Sequence, residues 1–390
     1  MLKIILMILA PVVLAIAAVV YLEYRAFAFS APALPETGSP ANSLETIADW
    51  LEQLHTDGHF TGSVLVSHRG IPILEKHLGP IGPDGARPIT ARTSFNLASV
   101  TKQFTATAVL RLEQEGLLKR GDAVTRYLPE LKRYPGITIY HLLAGTSGLP
   151  DYVSADPPLA KGGQMVTPEL LLNWLALSAP SGGFPPGSRY EYSNTGYLVL
   201  AQLVARVSGK PYAQYMQDTF FEPLGMKDTQ VFHKGIEREP AERALGMRKR
   251  FFYRGAFVLY DLNRFDGGAG DGNIYASPRD LVTWHEALRD GRALDRQFHA
   301  LLTEPVRLED GTVVADEIFG KNTSVGLAWN TNRLPALNVY GRWQGFSNYY
   351  YRDDRRDLVI VFLANSAHFL PFAEITDMLT SAVDKAVGED

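Results

Sequence analysis

The run Ser99-Val100-Thr101-Lys102 sets a hydroxyl and an amine three residues apart. On a helix this spacing puts both side chains on one face, one turn from each other. A serine becomes a strong nucleophile when a neighbouring base takes its proton, and a lysine is that base when its amine is uncharged. Apolar surroundings favour the uncharged form, and Phe95, Leu97 and Phe104 flank the run. Taken alone, the same four residues also describe a capping serine followed by an exposed lysine. A second run, Phe184-Pro-Pro-Gly-Ser-Arg-Tyr-Glu-Tyr192-Ser193-Asn194-Thr-Gly196, delivers a phenol and an amide on a Pro/Gly loop just ahead of a helical segment. Such a pair can pass a proton and clamp an acyl group. Its plain structural alternative is a packed loop tyrosine with Asn194 as helix cap.

In this order along one chain, the two runs resemble the penicillin-recognising serine hydrolases. The similar branch holds class C β-lactamases, D-alanyl-D-alanine carboxypeptidases, D-amino-acid peptidases and β-lactamase-like esterases. The resemblance extends from Ile47 to the C-terminus and includes residues 137–151, Glu222-Pro-Leu-Gly-Met226, residues 270–281 and Trp343-Gln-Gly-Phe346. It implies a serine hydrolase acting through an acyl-enzyme on Ser99, with Lys102 and Tyr192 passing the proton and Asn194 holding the substrate amide or the lysine. It also implies an oxyanion hole made by the backbone N–H groups of Ser99 and Arg342. No cofactor or metal is implied, and the expected partner is a small-molecule or peptide-like substrate.

One position departs from the pattern. The third motif of that family, Lys-Thr-Gly or His-x-Gly, aligns with Val339-Tyr340-Gly341, which puts Gly341 beside the substrate and valine where a cation or imidazole is expected. In relatives that position helps hold a carboxylate, so valine argues against efficient β-lactam hydrolysis and for an ester or an unusual amide. Arg342 is the neighbouring cation, but strand alternation assigns its side chain to the opposite face. Val339 also leaves open a non-catalytic sensor or binding protein. Rival hydrolase chemistries lack their residues: there is no G-x-S-x-G elbow and no H-E-x-x-H pair. His141 reads as a packed structural histidine.

The elements that must position these groups follow from periodicity. Gly62–His68 and Ile71–His77 flank Arg69-Gly70, and Asn348–Arg352 and Leu358–Ala364 flank a charged turn; both read as hairpins whose first and last strands share an antiparallel sheet. Phe372, Ile375, Met378, Leu379, Ala382 and Val383 recur at helical spacing and predict a closing helix. Between the hairpins, helices are expected at Val100–Glu115, Pro168–Leu177 and Gly196–Val207. The class is therefore α+β, an antiparallel sheet flanked by helices with a helical subdomain and the cleft between. Met247–Tyr260 interleaves Arg and Lys with aromatics, as a solvated strand pair or a membrane-facing or pocket-lining patch.

With 46% hydrophobic and 21% charged residues, the chain has the composition of a globular protein. A formal net charge of −4 with mixed signs gives no nucleic-acid footprint. The absence of cysteine excludes disulfides, thiolate metal sites and a thiol nucleophile. From Ile4 to Leu22 there is no charge, a span of about 28 Å as a helix, close to the thickness of a bilayer core. A transmembrane anchor and a cleaved signal segment ending at Ala26-Phe27-Ala28 both fit, and the length of the run favours the anchor. Either way the remainder is exported. The expected division is an anchor or signal segment over 1–28, a linker over 29–45 and the hydrolase domain over 46–390.

Overall fold

Along β1 (Gly62–His68), Val64 and Val66 enter one apolar cluster while Leu65 enters another. The same alternation runs through β11 (Leu358–Ala364), where Ile360 and Phe362 face the first cluster and Val359, Val361 and Leu363 the second. Strands covered on both faces behave this way, since successive side chains point to opposite sides. The computed structural model describes residues 40–154, 164–234, 239–251, 254–315, 324–333, 336–367 and 372–387.

The main sheet is antiparallel with order β2-β1-β11-β10-β9-β8, where β2 is Ile71–Leu78, β8 Asn330–Arg333, β9 Ala336–Trp343 and β10 Phe346–Asp353. Both predicted hairpins are present, and β1 pairs with β11 from Gly62 opposite Ala364 to His68 opposite Leu358. One face is covered by α1 (Pro40–Thr56) and the closing helix α10 (Phe372–Val387), which bury Ile47, Leu51, Ile375 and Leu379 against it.

The other face carries the helical part: α2 (Lys102–Gln114), α3 (Ile139–Leu143), α4 (Pro168–Leu177), α5 (Asn194–Ser208), α6 (Tyr212–Met216), α7 (Glu222–Leu224), α8 (Pro278–Arg289) and α9 (Arg296–Thr303). Residues 102–110 of α2 are buried throughout, which makes it the central helix. A small sheet, β3 (Phe95–Asn96), β7 (Ile274–Ala276) and β4 (Gln230–Val231), lies beside its start. The basic aromatic stretch forms a two-stranded ribbon, β5 (Met247–Phe251) with β6 (Arg254–Leu259), in which Arg248 lies over Tyr260 and Lys249 over Phe257, 4.7 and 4.0 Å from the ring centres. This matches the strand-pair alternative.

Among the described residues no helix is long and apolar enough to cross a membrane. The expected N-terminal anchor falls on residues 1–28, outside the described residues, as does most of the linker.

Candidate active site

The nucleophile candidate sits on a turn. The predicted helix over Val100–Glu115 begins instead at Lys102, because Ala98–Thr101 forms one turn of 3₁₀ helix. That change suits the chemistry: side chains three apart eclipse in a 3₁₀ turn, and Lys102 Nζ lies 3.2 Å from Ser99 Oγ. Ahead of the serine, Ala98 has φ +49°, a left-handed value that residues with a Cβ rarely adopt. Asn96 Oδ1 accepts the Ala98 N–H at 2.8 Å and so supports that conformation.

Tyr192 OH donates to Ser99 Oγ at 2.6 Å, which brings the two sequence runs together on one oxygen. The cap of α5 is Ser193, whose Oγ accepts from Gly196 N at 2.9 Å. Asn194 is therefore not the cap, and its Oδ1 accepts from Lys102 Nζ at 3.0 Å. Of the two roles expected for Asn194, the structure shows contact with the lysine. Asp151 completes the helix end by accepting from Asn194 N at 2.7 Å. Lys102 is only 3% exposed, and its Nζ lies 4.8 Å from the Tyr192 ring centre.

The third motif arrives on β9. Tyr340 packs with Tyr349 and Phe372 toward the terminal helices, so its neighbours Val339 and Gly341 belong to the opposite face. A Cβ placed on Gly341 would fall 2.2 Å from Leu97 O and 3.2 Å from Ser99 N. Glycine is thus required for the strand to lie against the nucleophile turn. Val339 borders a cleft of about 250 Å³ together with Ser99, Lys102, Tyr192, Tyr197 and Arg342. All the predicted site residues except Asn194 and Gly341 border this cleft.

Sequence reading missed three groups. Asp271 accepts from Lys102 Nζ through its backbone carbonyl at 2.8 Å, and its carboxylate accepts from Tyr152 OH at 2.8 Å. Burial raises the Asp271 carboxyl above the usual range, while nearby Lys102 and the Tyr152 hydrogen bond oppose the rise. Tyr197, one turn after Asn194, puts its ring 5.8 Å from Lys102 Nζ and donates its own hydroxyl to Leu143 O at 2.9 Å. The available signal was the run Gly270-Asp-Gly-Asn, which fits no helix or strand period. His141 is structural as expected: its Nδ1 accepts from Thr138 N at 3.2 Å in the capping box of α3. Among the described residues no cluster of side chains suited to a metal is present.

The family model described as Beta-lactamase matches residues 47–385. The chain belongs to the Beta-lactamase family. That family places it among the penicillin-recognising serine hydrolases. It is similar to penicillin-binding protein 4* of Bacillus subtilis (strain 168), 28% identical over 83% of this chain and 71% of that protein. It is also similar to the D-alanyl-D-alanine-carboxypeptidase/endopeptidase AmpH of Escherichia coli (strain K12), 25% identical over 84% and 85% of the two chains. The octameric penicillin-binding protein homologue from Pyrococcus abyssi shares the Beta-lactamase family fold, with a TM-score of 0.72 and 23% identity over 89% of this chain and 77% of that one.

Proposed function

We propose that the protein cleaves esters or amides through an acyl-enzyme on Ser99. The observation that carries this reading is the convergence of Lys102 Nζ and Tyr192 OH on Ser99 Oγ, at 3.2 and 2.6 Å. As Oγ attacks the substrate carbonyl, its proton passes to the Lys102–Tyr192 pair, and the new Oγ–C bond makes a tetrahedral oxyanion. The backbone N–H groups of Ser99 and Arg342 receive that charge. The pair then protonates the departing alcohol or amine as its bond to carbon breaks. Water repeats the sequence in reverse: it loses a proton to the pair, attacks the ester, and Oγ leaves with the proton restored.

Asn194 and the Asp271 carbonyl hold the lysine in place for both halves. Valine at 339 offers neither charge nor donor, so the preferred acyl substrates are uncharged there. Similarity to AmpH supports peptide-like amides as a further substrate class. The N-terminal apolar run supports a membrane-anchored domain on the outer side.

Mass spectrometry after exposure to a fluorophosphonate, a penicillin and a panel of short aryl esters tests the reading. An adduct mapped to Ser99, with turnover of the esters and neither in folded Ser99→Ala, is expected. An adduct that persists in that variant removes Ser99 from the mechanism. A penicillin adduct without turnover of any ester would favour the sensor alternative.

A further inference from the structure

Ser99 and Tyr192 border a second cleft of about 180 Å³, and its walls differ from those of the first. Tyr152, Tyr192, Phe265 and Trp343 line it together with Asp266 and Asp271. Phe265 stands edge-on to Tyr152 and to Trp343, with ring centres 5.9 and 6.3 Å apart, so the aromatic wall is one packed unit. Asp266 is occupied in holding that wall: it is 1% exposed and accepts from Trp343 Nε1 at 2.7 Å and Asn263 N at 2.6 Å.

Asp271 is different. Of its two carboxylate oxygens, Oδ2 accepts from Tyr152 OH at 2.8 Å. Among the described residues no other residue's donor reaches its carboxylate. Lys102 meets the Asp271 carbonyl rather than the carboxylate, and borders the first cleft, not this one. The one Lys or Arg among the residues lining the second cleft is Arg342, which is exposed. Two carboxylates and several ring faces line this cleft, with Lys102 reaching only the Asp271 carbonyl behind it, and such a lining is attractive to a compact cation.

We infer that the second cleft is an ammonium subsite, in which Asp271 Oδ1 and the rings of Tyr152, Phe265 and Trp343 hold a protonated primary amine of the substrate while its carbonyl is presented to Ser99. The inference rests on Ser99 being the nucleophile. The cleft takes the amine of small aminoacyl esters or amides: a primary ammonium donates a charge-assisted hydrogen bond to the carboxylate and lies against ring faces. Ser99 and Asp271 line the same cleft of about 180 Å³, so an amine bound there lies within one small acyl group of the nucleophile. The apolar first cleft then receives the other side of the scissile bond.

The test measures how benzylammonium and benzyl alcohol, which share a ring and differ in charge, protect Ser99 from a fluorophosphonate. In wild-type protein benzylammonium should halve the labelling rate at a concentration at least about tenfold lower than benzyl alcohol. In Asp271→Asn, which keeps the backbone carbonyl for Lys102, that preference should fall below about threefold. Phe265→Leu should weaken protection by benzylammonium several-fold and serves if Asp271→Asn does not fold. Equal protection by the two ligands in wild-type, or an undiminished preference in folded Asp271→Asn, overturns the ammonium subsite and leaves the nucleophile standing. Absence of any Ser99 labelling overturns the nucleophile reading and this inference with it.

Discussion

Asn96 and Ala98 are joined by one hydrogen bond, Oδ1 to N–H at 2.8 Å, and that bond spans the bend that presents Ser99. Asn96 is itself fixed, since its Nδ2 donates to Asn273 Oδ1 at 3.0 Å and Tyr275 OH at 3.2 Å, and Asn348 donates to its carbonyl at 2.8 Å. The left-handed φ of Ala98 costs on the order of 1–3 kcal/mol and persists only because these contacts over-determine it. Asn96→Ala should therefore lower the fluorophosphonate labelling rate of Ser99 by about tenfold or more under conditions where circular dichroism shows the fold intact. An unchanged rate in the folded variant would show that the bend is held by packing alone.

Lys102→Ala and Tyr192→Phe remove different partners of the same oxygen. Each should slow acylation about 10²-fold or more, the usual scale of acid–base catalysis. Because both act on one proton, the double variant should lose much less than the product of the single losses. Pre-steady-state acylation with an aryl ester checks this, and near wild-type rates in both single variants would point to another site.

Introducing a cation on β9 should change selectivity. Val339→Lys or Val339→His should raise kcat/KM for substrates with a carboxylate and leave neutral aryl esters little altered, since a charge-assisted hydrogen bond acts only where the carboxylate binds. In wild-type, neutral aryl esters should be cleaved faster than penicillins. Equal effects on both substrate types would mean that position 339 does not meet the carboxylate.

How much of this was legible beforehand depended on distance along the chain. The hairpins around Arg69-Gly70 and residues 354–357 announce themselves by alternation and by their turns, and the helix over Pro168–Leu177 by its periodic apolar face. The start of α2 was placed two residues early because the 3₁₀ turn carries the same apolar spacing as a helix. Asp271 and Tyr152 stand 119 residues apart, and the Asn96–Asn348 contact spans 252. No local pattern encodes such meetings; only the folded sheet brings them about.

The buried group around Arg352 sets an acid dependence of stability. Arg352 Nη2 lies against His299 Nε2 at 2.5 Å, and burial followed by the Arg352 charge pushes both His299 and His285 down to about 4. In the unfolded chain a histidine titrates near 6.5, so between these values the unfolded state binds more protons. Their contribution is fully present above about pH 6.5 and is lost as pH falls toward about 4. Asp266 and Asp280, raised to about 6 by burial, act in the opposite sense over much of the same range. Wild-type therefore has to be compared with His299→Gln, whose melting temperature should fall less steeply from pH 6.5 to 4.5. Parallel curves would remove His299 from the acid response.

The apolar run from Ile4 to Leu22 should retain the protein in membranes through a high-salt wash, with residues from Ser43 onward open to protease from the outer side. Release by salt, or a mature N-terminus at Phe29, would show a cleaved leader instead.

The pairing of β1 with β11 has a consequence for biogenesis. An early strand finds its central partner almost 300 residues later, and α1 rests on α10 across the same face. Until Leu358–Ala364 has been made, β1 has one neighbour and an open edge, and the layer beneath the terminal helices lacks Leu358, Ile360, Phe362 and Ala364. The ribosome must therefore finish nearly the whole polypeptide before this sheet can close, and a chain ended before Leu358 leaves the β1 edge without its partner.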